Sequence, residues 1–290
     1  MARTALVLFT LLATFAEGAD WPRWLGPHGD SSWRETGLIQ TFPKEGPKVL
    51  WRVPAGHGYA GPAVAGDRVI LADYVIREGT VDANPGARTT IQGDLRIRSL
   101  DAATGKEQWS HSRDQPLALS FPNGPRCTPT IDGDKVYYLG PEGLLVCLSL
   151  ADGKPVWELD LKQTYSVPSP IWGFAAHPLI HGDLLYCLPG GPGTTAVALD
   201  KKTGKEVWRS LTAAEPGYAP PVIIQHGGVE QLIVWHPEAI TSLHPLTGKQ
   251  YWSVPFEPAY GMSIMAPRLA GDLLFIGAIQ KQIHASHAQR

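Results

Sequence analysis

One phrase, returning four times, restricts this chain more than any other feature. Leu100-Asp101-Ala102-Ala103-Thr104-Gly105-Lys106-Glu107-Gln108-Trp109 is echoed by Leu150-Ala151-Asp152-Gly153-Lys154-Pro155-Val156-Trp157. It comes again as Leu199 to Trp208 and as Leu243 to Trp252. The tryptophans 109, 157, 208 and 252 are 48, 51 and 44 residues apart, near the about 40–50 residue period of a four-stranded propeller blade. A second signal keeps step. Pro62, Pro129, Pro178 and Pro267 are each followed four residues later by Gly-Asp, at Gly66-Asp67, Gly133-Asp134, Gly182-Asp183 and Gly271-Asp272. Pro221 heads a fifth copy whose turn, at Gly227-Gly228, reads as longer. Each pair parts two short apolar runs, as a hairpin turn does.

A single small sheet cannot bury both of its faces, so repeats of this kind must stack around an axis. The expected fold is all-β: a β-propeller of four-stranded antiparallel blades, about four complete and a partial fifth. The blades fall at about 57–110, 126–158, 174–209, 217–253 and a partial 262–278, within a propeller spanning 47–278. An N-terminal extension covers 19–46, and the tail 279–290 lacks strand patterning. The Asp-x-x-Thr-Gly-Lys segment reads as the turn between third and fourth strands, glycine supplying positive φ and aspartate bonding backbone amides. Tryptophan on the outer strand fills the wedge between blades. Lys48 to Val53 reads as an isolated outer strand, and the last copy lacks its Thr-Gly-Lys-x-x-Trp half. Truncation of a longer propeller is the expected cause; completion of the fifth blade by the strand at Trp51 is the alternative.

With 27 acidic against 25 basic residues and a formal charge of -2, no basic excess exists to neutralise a phosphate backbone, so nucleic acid is excluded as a partner. Residues 1–18 read as a signal peptide: Arg3, an apolar run from Ala5 to Phe15, and small residues around Ala16-Glu17-Gly18. The run is too short to span a bilayer, and no cysteine follows it to take a lipid. The mature protein is expected to be exported, periplasmic or extracellular, neither membrane-spanning nor lipidated. Cys127, Cys147 and Cys187 read as buried free thiols.

Residues that depart from the repeat carry the functional information. Just before the inner-strand proline the copies read Tyr59-Ala60-Gly61, Arg126-Cys127-Thr128, Ala175-Ala176-His177 and Tyr218-Ala219-Pro220. Tyr59, Arg126, His177 and Tyr218 are expected to ring one mouth of the central channel, joined by Trp172, His236 and Glu238, as a small-molecule site. His236 and Glu238, two apart in a strand, would face one side. No catalytic residue is assigned and no metal site is expected: His177 and His181 lie on a strand, and His284-x-x-His287 sits in the tail. The connection from Arg77 to Gly93 reads as a loop excursion inside the first blade, more readily an exposed loop of no consequence than a cap on the channel.

The Thr-Gly-Lys-x-x-Trp repeats, the opening Asp20-Trp21-Pro22-Arg23-Trp24-Leu25-Gly26-Pro27 and the segment Trp172 to Pro178 resemble the PQQ-like β-propeller repeat proteins. The resemblance covers nearly all of the mature chain and is strongest to secreted, planctomycete-type members of the quinoprotein alcohol dehydrogenase-like superfamily. It implies either a quinoprotein dehydrogenase or a non-catalytic propeller. In the former it implies pyrroloquinoline quinone with calcium, a ring of adjacent cysteines and a Glu-Asn-Asp set. No two cysteines are neighbours here and that set does not map, so no cofactor is expected. The expected function is a non-catalytic binding or scaffold module for a protein or small-molecule ligand. A quinoprotein-type oxidoreductase is the alternative, and a hydrolase or lyase using His236 and Glu238 is a third reading.

Overall fold

The computed structural model describes residues 18–82, 84–279 and 284–287; the expected leader, Gly18 apart, lies outside them. Strands β1 (Ala63–Ala65), β2 (Arg68–Glu78), β3 (Thr89–Asp101) and β4 (Glu107–Asp114) form the first sheet, with β5 (Leu117–Leu119) paired to the start of β3. The second holds β6 (Thr130–Asp132), β7 (Lys135–Leu139), β8 (Leu144–Ser149) and β9 (Pro155–Asp160), followed by the short helix α1 (Leu161–Tyr165). The third holds β10 (Leu179–His181), β11 (Leu184–Cys187), β12 (Ala196–Asp200) and β13 (Glu206–Ser210). The fourth holds β14 (Val222–His226), β15 (Val229–His236), β16 (Ala239–Leu243) and β17 (Gln250–Pro255). The last comprises β18 (Arg268–Ala270), β19 (Leu273–Ile276) and β20 (His284–His287). Every pairing is antiparallel and the four-strand paths run in chain order. The chain is a β-propeller of four-stranded antiparallel blades, four complete and a fifth with three strands among the described residues.

Three expectations need correction. The turn at Gly227-Gly228 is no longer than the others, since His226 pairs with Val229 just as Ala65 pairs with Arg68; the two extra residues lengthen β14 to five. Arg77–Gly93 is loop only at 79–88, because β2 and β3 run past the blade and carry both ends of the segment as strand, leaving a hairpin tip. The tail is not wholly without structure: β20 pairs Leu273 with His287 and Ile276 with His284. Ladder bonds use backbone groups, so a polar strand carries no apolar period to betray it.

The blades are joined by one contact used repeatedly. Trp109 of β4 lies on Gly153 in the turn of the second blade, and its indole N–H donates to Leu150 O at 2.8 Å. Trp157 lies likewise on Gly204, donating to Lys201 O at 2.9 Å, and Trp208 on Gly248, donating to Pro245 O at 2.8 Å. A Cβ on Gly153 would come within 2.5 Å of the Trp109 ring, and that glycine also holds φ at 69°, so no other residue fits. Trp51 obeys the same rule, lying on Gly105 and donating to Ala102 O at 2.9 Å, although Lys48 to Val53, expected as an outer strand, forms no strand. Four apolar clusters then bind successive blades; one packs Ile70, Tyr74 and Ile97 of the first against Val136 and Tyr138 of the second.

The innermost strands face a common channel, and the N-terminal extension occupies it. Trp21 exchanges backbone bonds with Val64 of β1 at 2.8 and 2.9 Å, and Pro22 O accepts from Ile131 N at 2.8 Å. Trp24 stacks on His177, centroids 4.5 Å apart, and Arg268 of β18 donates to Gly29 O. Inner-strand edges present unpaired backbone groups, and the extension satisfies several of them.

Trp252, the fourth indole of the series, donates instead to Gln231 Oε1 in its own blade, at 2.9 Å. Trp208→Ala is therefore expected to cost about 3–5 kcal/mol, as burial of a large aromatic requires, and Trp252→Ala less than half of that. Urea denaturation of the two variants checks the difference, and equal losses would contradict the blade-to-blade role of Trp208.

Candidate functional site

The third residue before each inner-strand proline leads into the channel mouth, so these side chains converge. Tyr59, Arg126, Trp172 and Tyr218 line one open cavity of about 940 Å³. Ala175 and Ile264, which occupy the same register position before Pro178 and Pro267, complete the series through all five blades. Backbone bonds between neighbouring segments fix the ring: Tyr59 N to Pro125 O at 2.7 Å, Ser120 N to Ile171 O at 2.8 Å and Tyr218 N to Ser263 O at 2.8 Å. The Trp172 and Tyr218 rings lie 5.5 Å apart at 53°. Sequence reasoning missed Phe121, Tyr260 and Met262, which also line the cavity. Phe121 and Tyr260 sit at φ of 51° and 58°, a conformation costing of order 1–3 kcal/mol for a non-glycine residue and often found where a site demands it. Only Ile264 was findable, by extending the proline register to the fifth copy.

The hairpin tip forms one wall of the cavity, contrary to the expectation of an inconsequential exposed loop. Pro85 and Gly86 line the cavity, and Pro85 O accepts from Trp172 Nε1 at 3.3 Å. Arg88 pins the tip to neighbouring loops through Ser169 O at 2.7 Å and Ala118 O at 2.9 Å. Buried Glu142 supports those loops, accepting from Ala118 N and Lys162 Nζ, each at 2.8 Å, and from Ser169 Oγ.

Arg126 is the one cationic side chain of the lining. Its guanidinium donates to Trp172 O at 2.9 Å, Phe121 O at 2.7 Å, Ser120 O at 3.2 Å and Gly124 O, and lies over the Tyr59 ring at 5.4 Å. Burial holds its pKa below the usual arginine value. Four carbonyls thus take most of its five donors, and its first duty is to tie the mouth loops together. No carboxylate, imidazole or thiol lines the cavity.

Three expected members lie elsewhere. His177, one residue before its proline, lies two residues closer to the inner strand than the mouth position, past a bend at Ala176. It therefore faces the channel interior beneath Trp24, where burial lowers its pKa to about 4. His236 and Glu238 do not share a strand face: β15 ends at His236, and Pro237-Glu238 form the turn to β16. His236 is only 5% exposed, its Nδ1 accepting from Glu238 N at 3.4 Å, while Glu238 Oε1 accepts from Ala214 N at 3.1 Å. Burial lowers the His236 pKa against the pull of Glu238. The hairpin buttresses the mouth through Pro237, which lies beside Gly217 and Gly261, and neither His236 nor Glu238 lines the mouth cavity.

Among the described residues, no three His, Cys, Asp or Glu side chains are grouped so as to hold a metal ion. Cys127, Cys147 and Cys187 are free and buried. No helix among these residues is long and apolar enough to cross a membrane.

Stacked four-stranded blades joined through Thr-Gly-Lys turns and indoles, with a pocket at the channel mouth, define a propeller of the PQQ-like repeat class. Residues 35–123 and 93–290 match the profile of the family described as outer membrane protein assembly factor BamB, and the chain belongs to that family. The solved structure of BamB from Moraxella catarrhalis shares the fold, with a TM-score of 0.52 and 18% identity over 82% of this chain and 76% of that one. Two curated relatives are similar over much of this chain. The serine/threonine-protein kinase AfsK of Streptomyces griseus is 30% identical over 194 residues, 67% of this chain and 21% of that protein. The quinohemoprotein alcohol dehydrogenase ADH IIB of Pseudomonas putida is 27% identical over 199 residues, 63% of this chain and 26% of that protein. The chain thus spans about a quarter or less of the length of these relatives.

Two solution tests follow from the buried groups. Burial raises the Cys127, Cys147 and Cys187 thiols to about 12, 11 and 12, so a disulfide reagent at mildly alkaline pH is expected to label none of the three until denaturant is added. Fast labelling of the folded protein would contradict this. For His177, the folded chain refuses a proton that the unfolded chain accepts between its ordinary 6.5 and about 4. Stability is therefore full above that window and falls as pH drops through it, by up to about 3 kcal/mol. His111 and His236, both lowered chiefly by burial, act in the same direction. Denaturation midpoints across the window check the slope, and a flat profile would contradict the buried neutral imidazole.

Proposed function

We propose that this chain is a non-catalytic binding module, acting outside the cytoplasm, that captures an aromatic or apolar segment of a partner protein at the mouth of its propeller. The observation that carries the reading is the make-up of the mouth cavity. Tyr59, Phe121, Trp172, Tyr218 and Tyr260 surround it, with Tyr59 and Tyr260 56% and 75% exposed at its rim. Aromatic rings supply large contact area at little conformational cost and are enriched where proteins dock. General acid–base or nucleophilic chemistry needs a group of suitable pKa within reach of substrate. The ionisable groups of the lining are an arginine committed to carbonyls and tyrosines, and burial raises the Tyr218 pKa further from neutrality. Membership of a family described by an outer-membrane protein assembly factor supports a partner that is itself a protein.

The second reading, a quinoprotein-type oxidoreductase, is favoured by the similarity to a quinohemoprotein alcohol dehydrogenase. The residues at the mouth do not fit that cofactor. Pyrroloquinoline quinone is a tricarboxylate bound with calcium, whereas the lining offers no carboxylate to hold a cation and no pair of cysteines.

Selection of displayed peptides on the full chain tests the proposal. Enrichment of Trp-, Phe- or Tyr-containing peptides is expected, with affinity for Trp172→Ala and Tyr218→Ala reduced about tenfold or more, the scale of a buried aromatic anchor. The melting temperature of each variant in the absence of peptide reports whether the mouth has kept its shape. Peptides that bind both variants as well as the parent would defeat the reading, as would reproducible dye reduction with added quinone and calcium.

A further inference from the structure

The channel interior holds a second cavity, of about 430 Å³, between the N-terminal extension and the inner strands of the second to fifth blades. It shares no lining residue with the mouth pocket, and its character is opposite. The charged and titratable groups that face it are Arg23, His28, Asp30, His177, His181 and Arg268.

Their pairing leaves an imbalance. Asp30 is already bound by Arg34 at 2.8 Å and by Ser32 N at 2.9 Å. His181 meets Glu230 at 3.0 Å. Arg23 and Arg268 have no carboxylate within 4.0 Å among the described residues, whereas Arg77, Arg96, Arg98 and Arg113 all do. Arg88 and Arg126, which also lack one, spend their donors on backbone carbonyls. Among the described residues Arg23 bonds only Gly26 O at 3.2 Å and Pro27 O at 3.1 Å, and Arg268 only Gly29 O. Pinning the extension thus uses three of the ten N–H groups that two guanidiniums carry.

His177 adds an independent observation. Its Nε2 is buried with no hydrogen-bond partner among the described residues, and the neighbouring Ala175 backbone only partly offsets the effect of burial on the ring. Buried polar atoms in folded proteins are almost always satisfied, and each exception calls for an explanation. A bound molecule supplying oxygen atoms would meet the spare guanidinium donors, and a hydroxyl or acid proton would meet the imidazole lone pair.

We propose that this cavity is a binding site for a small molecule bearing carboxylate or phosphate oxyanions, clamped between Arg23 of the extension and Arg268 of the fifth blade, with His177 on its floor. Because the extension supplies one arginine and Trp24 covers the imidazole, occupancy would also lock residues 21–30 into the channel.

The full chain is titrated with citrate and, separately, with inorganic phosphate, at constant ionic strength set by chloride, while the His177 ring resonances and the heat of binding are followed. A saturable shift of His177 with at least one oxyanion is expected, and which one answers identifies the class. Affinity is expected to fall about tenfold or more in Arg268→Gln and in Arg23→Gln, the scale of a lost charge-assisted bond. Arg268→Lys should retain most of it, and Trp172→Ala at the mouth should change nothing. The wild-type titration stands even if an arginine variant loosens the extension. No saturable shift with either oxyanion, the same shift from chloride alone, or undiminished affinity in both glutamine variants would overturn the proposal.

Discussion

An indole lying on a glycine is the contact on which this structure depends. A blade is too small to stand alone, and its neighbours reach it mainly through apolar clusters shared by two sheets. Apolar surfaces are forgiving of small rotations, because burial has no direction. The tryptophan contact has one: its N–H must meet a turn carbonyl at 2.8 to 2.9 Å while its ring lies where a Cβ would be. The turn is held for this purpose. Asp101 Oδ1 accepts from Thr104 N at 2.8 Å, and Asp200 Oδ1 from Thr203 N at 2.8 Å. In the fourth copy His244 takes the place of aspartate, its Nδ1 accepting from Leu246 N at 3.1 Å.

The order of residues along the segments that lead into the inner strands separates two environments. The third residue before each proline reaches the aromatic mouth, the next is buried between blades as Cys127, Ala176 and Ala219 are, and the last faces inward as His177 does. A run of three residues therefore serves the mouth, the core and the channel in turn. The exclusion of water at each level differs accordingly, which is why Tyr59 is largely exposed while His177 stays neutral well below its usual pKa. Charge follows the same division: the mouth has one cation whose donors are taken, and the interior has two whose donors are mostly free.

The blade architecture was legible because it rests on glycine, proline and tryptophan, whose geometric demands are local and recur at fixed spacing. Blade five was half visible for the same reason: β18 and β19 carry the proline and Gly-Asp signals, whereas β20 is a polar strand recognisable only through its backbone partners. Four of the seven candidate site residues meet in one cavity: register places Tyr59, Arg126 and Tyr218 there, and Trp172 joins them from the loop ahead of Ala175. His177 was misplaced by reading the last position before the proline as equivalent to the third. His236 and Glu238 were misread because Pro237 ends the strand between them. Tyr260 and Phe121 left no trace, since their loops obey no repeat and their backbone takes positive φ without glycine. The occupation of the channel by residues 21–30 was equally hidden, because the bonds that hold it are mostly from backbone groups.

A double-mutant cycle on Trp109 and Gly153 bears most directly on this account, with stabilities read by urea denaturation of Trp109→Ala, Gly153→Ala and the pair. If the indole and the turn act as one joint, the glycine change costs more while the ring is present than after its removal, when only the strain of alanine at positive φ is left. The two losses would then fall short of additivity by about 1 kcal/mol or more, within the range for contacting residues. Strictly additive losses would mean that the blades are held by their apolar clusters alone and that the repeated indole is no more than another buried ring.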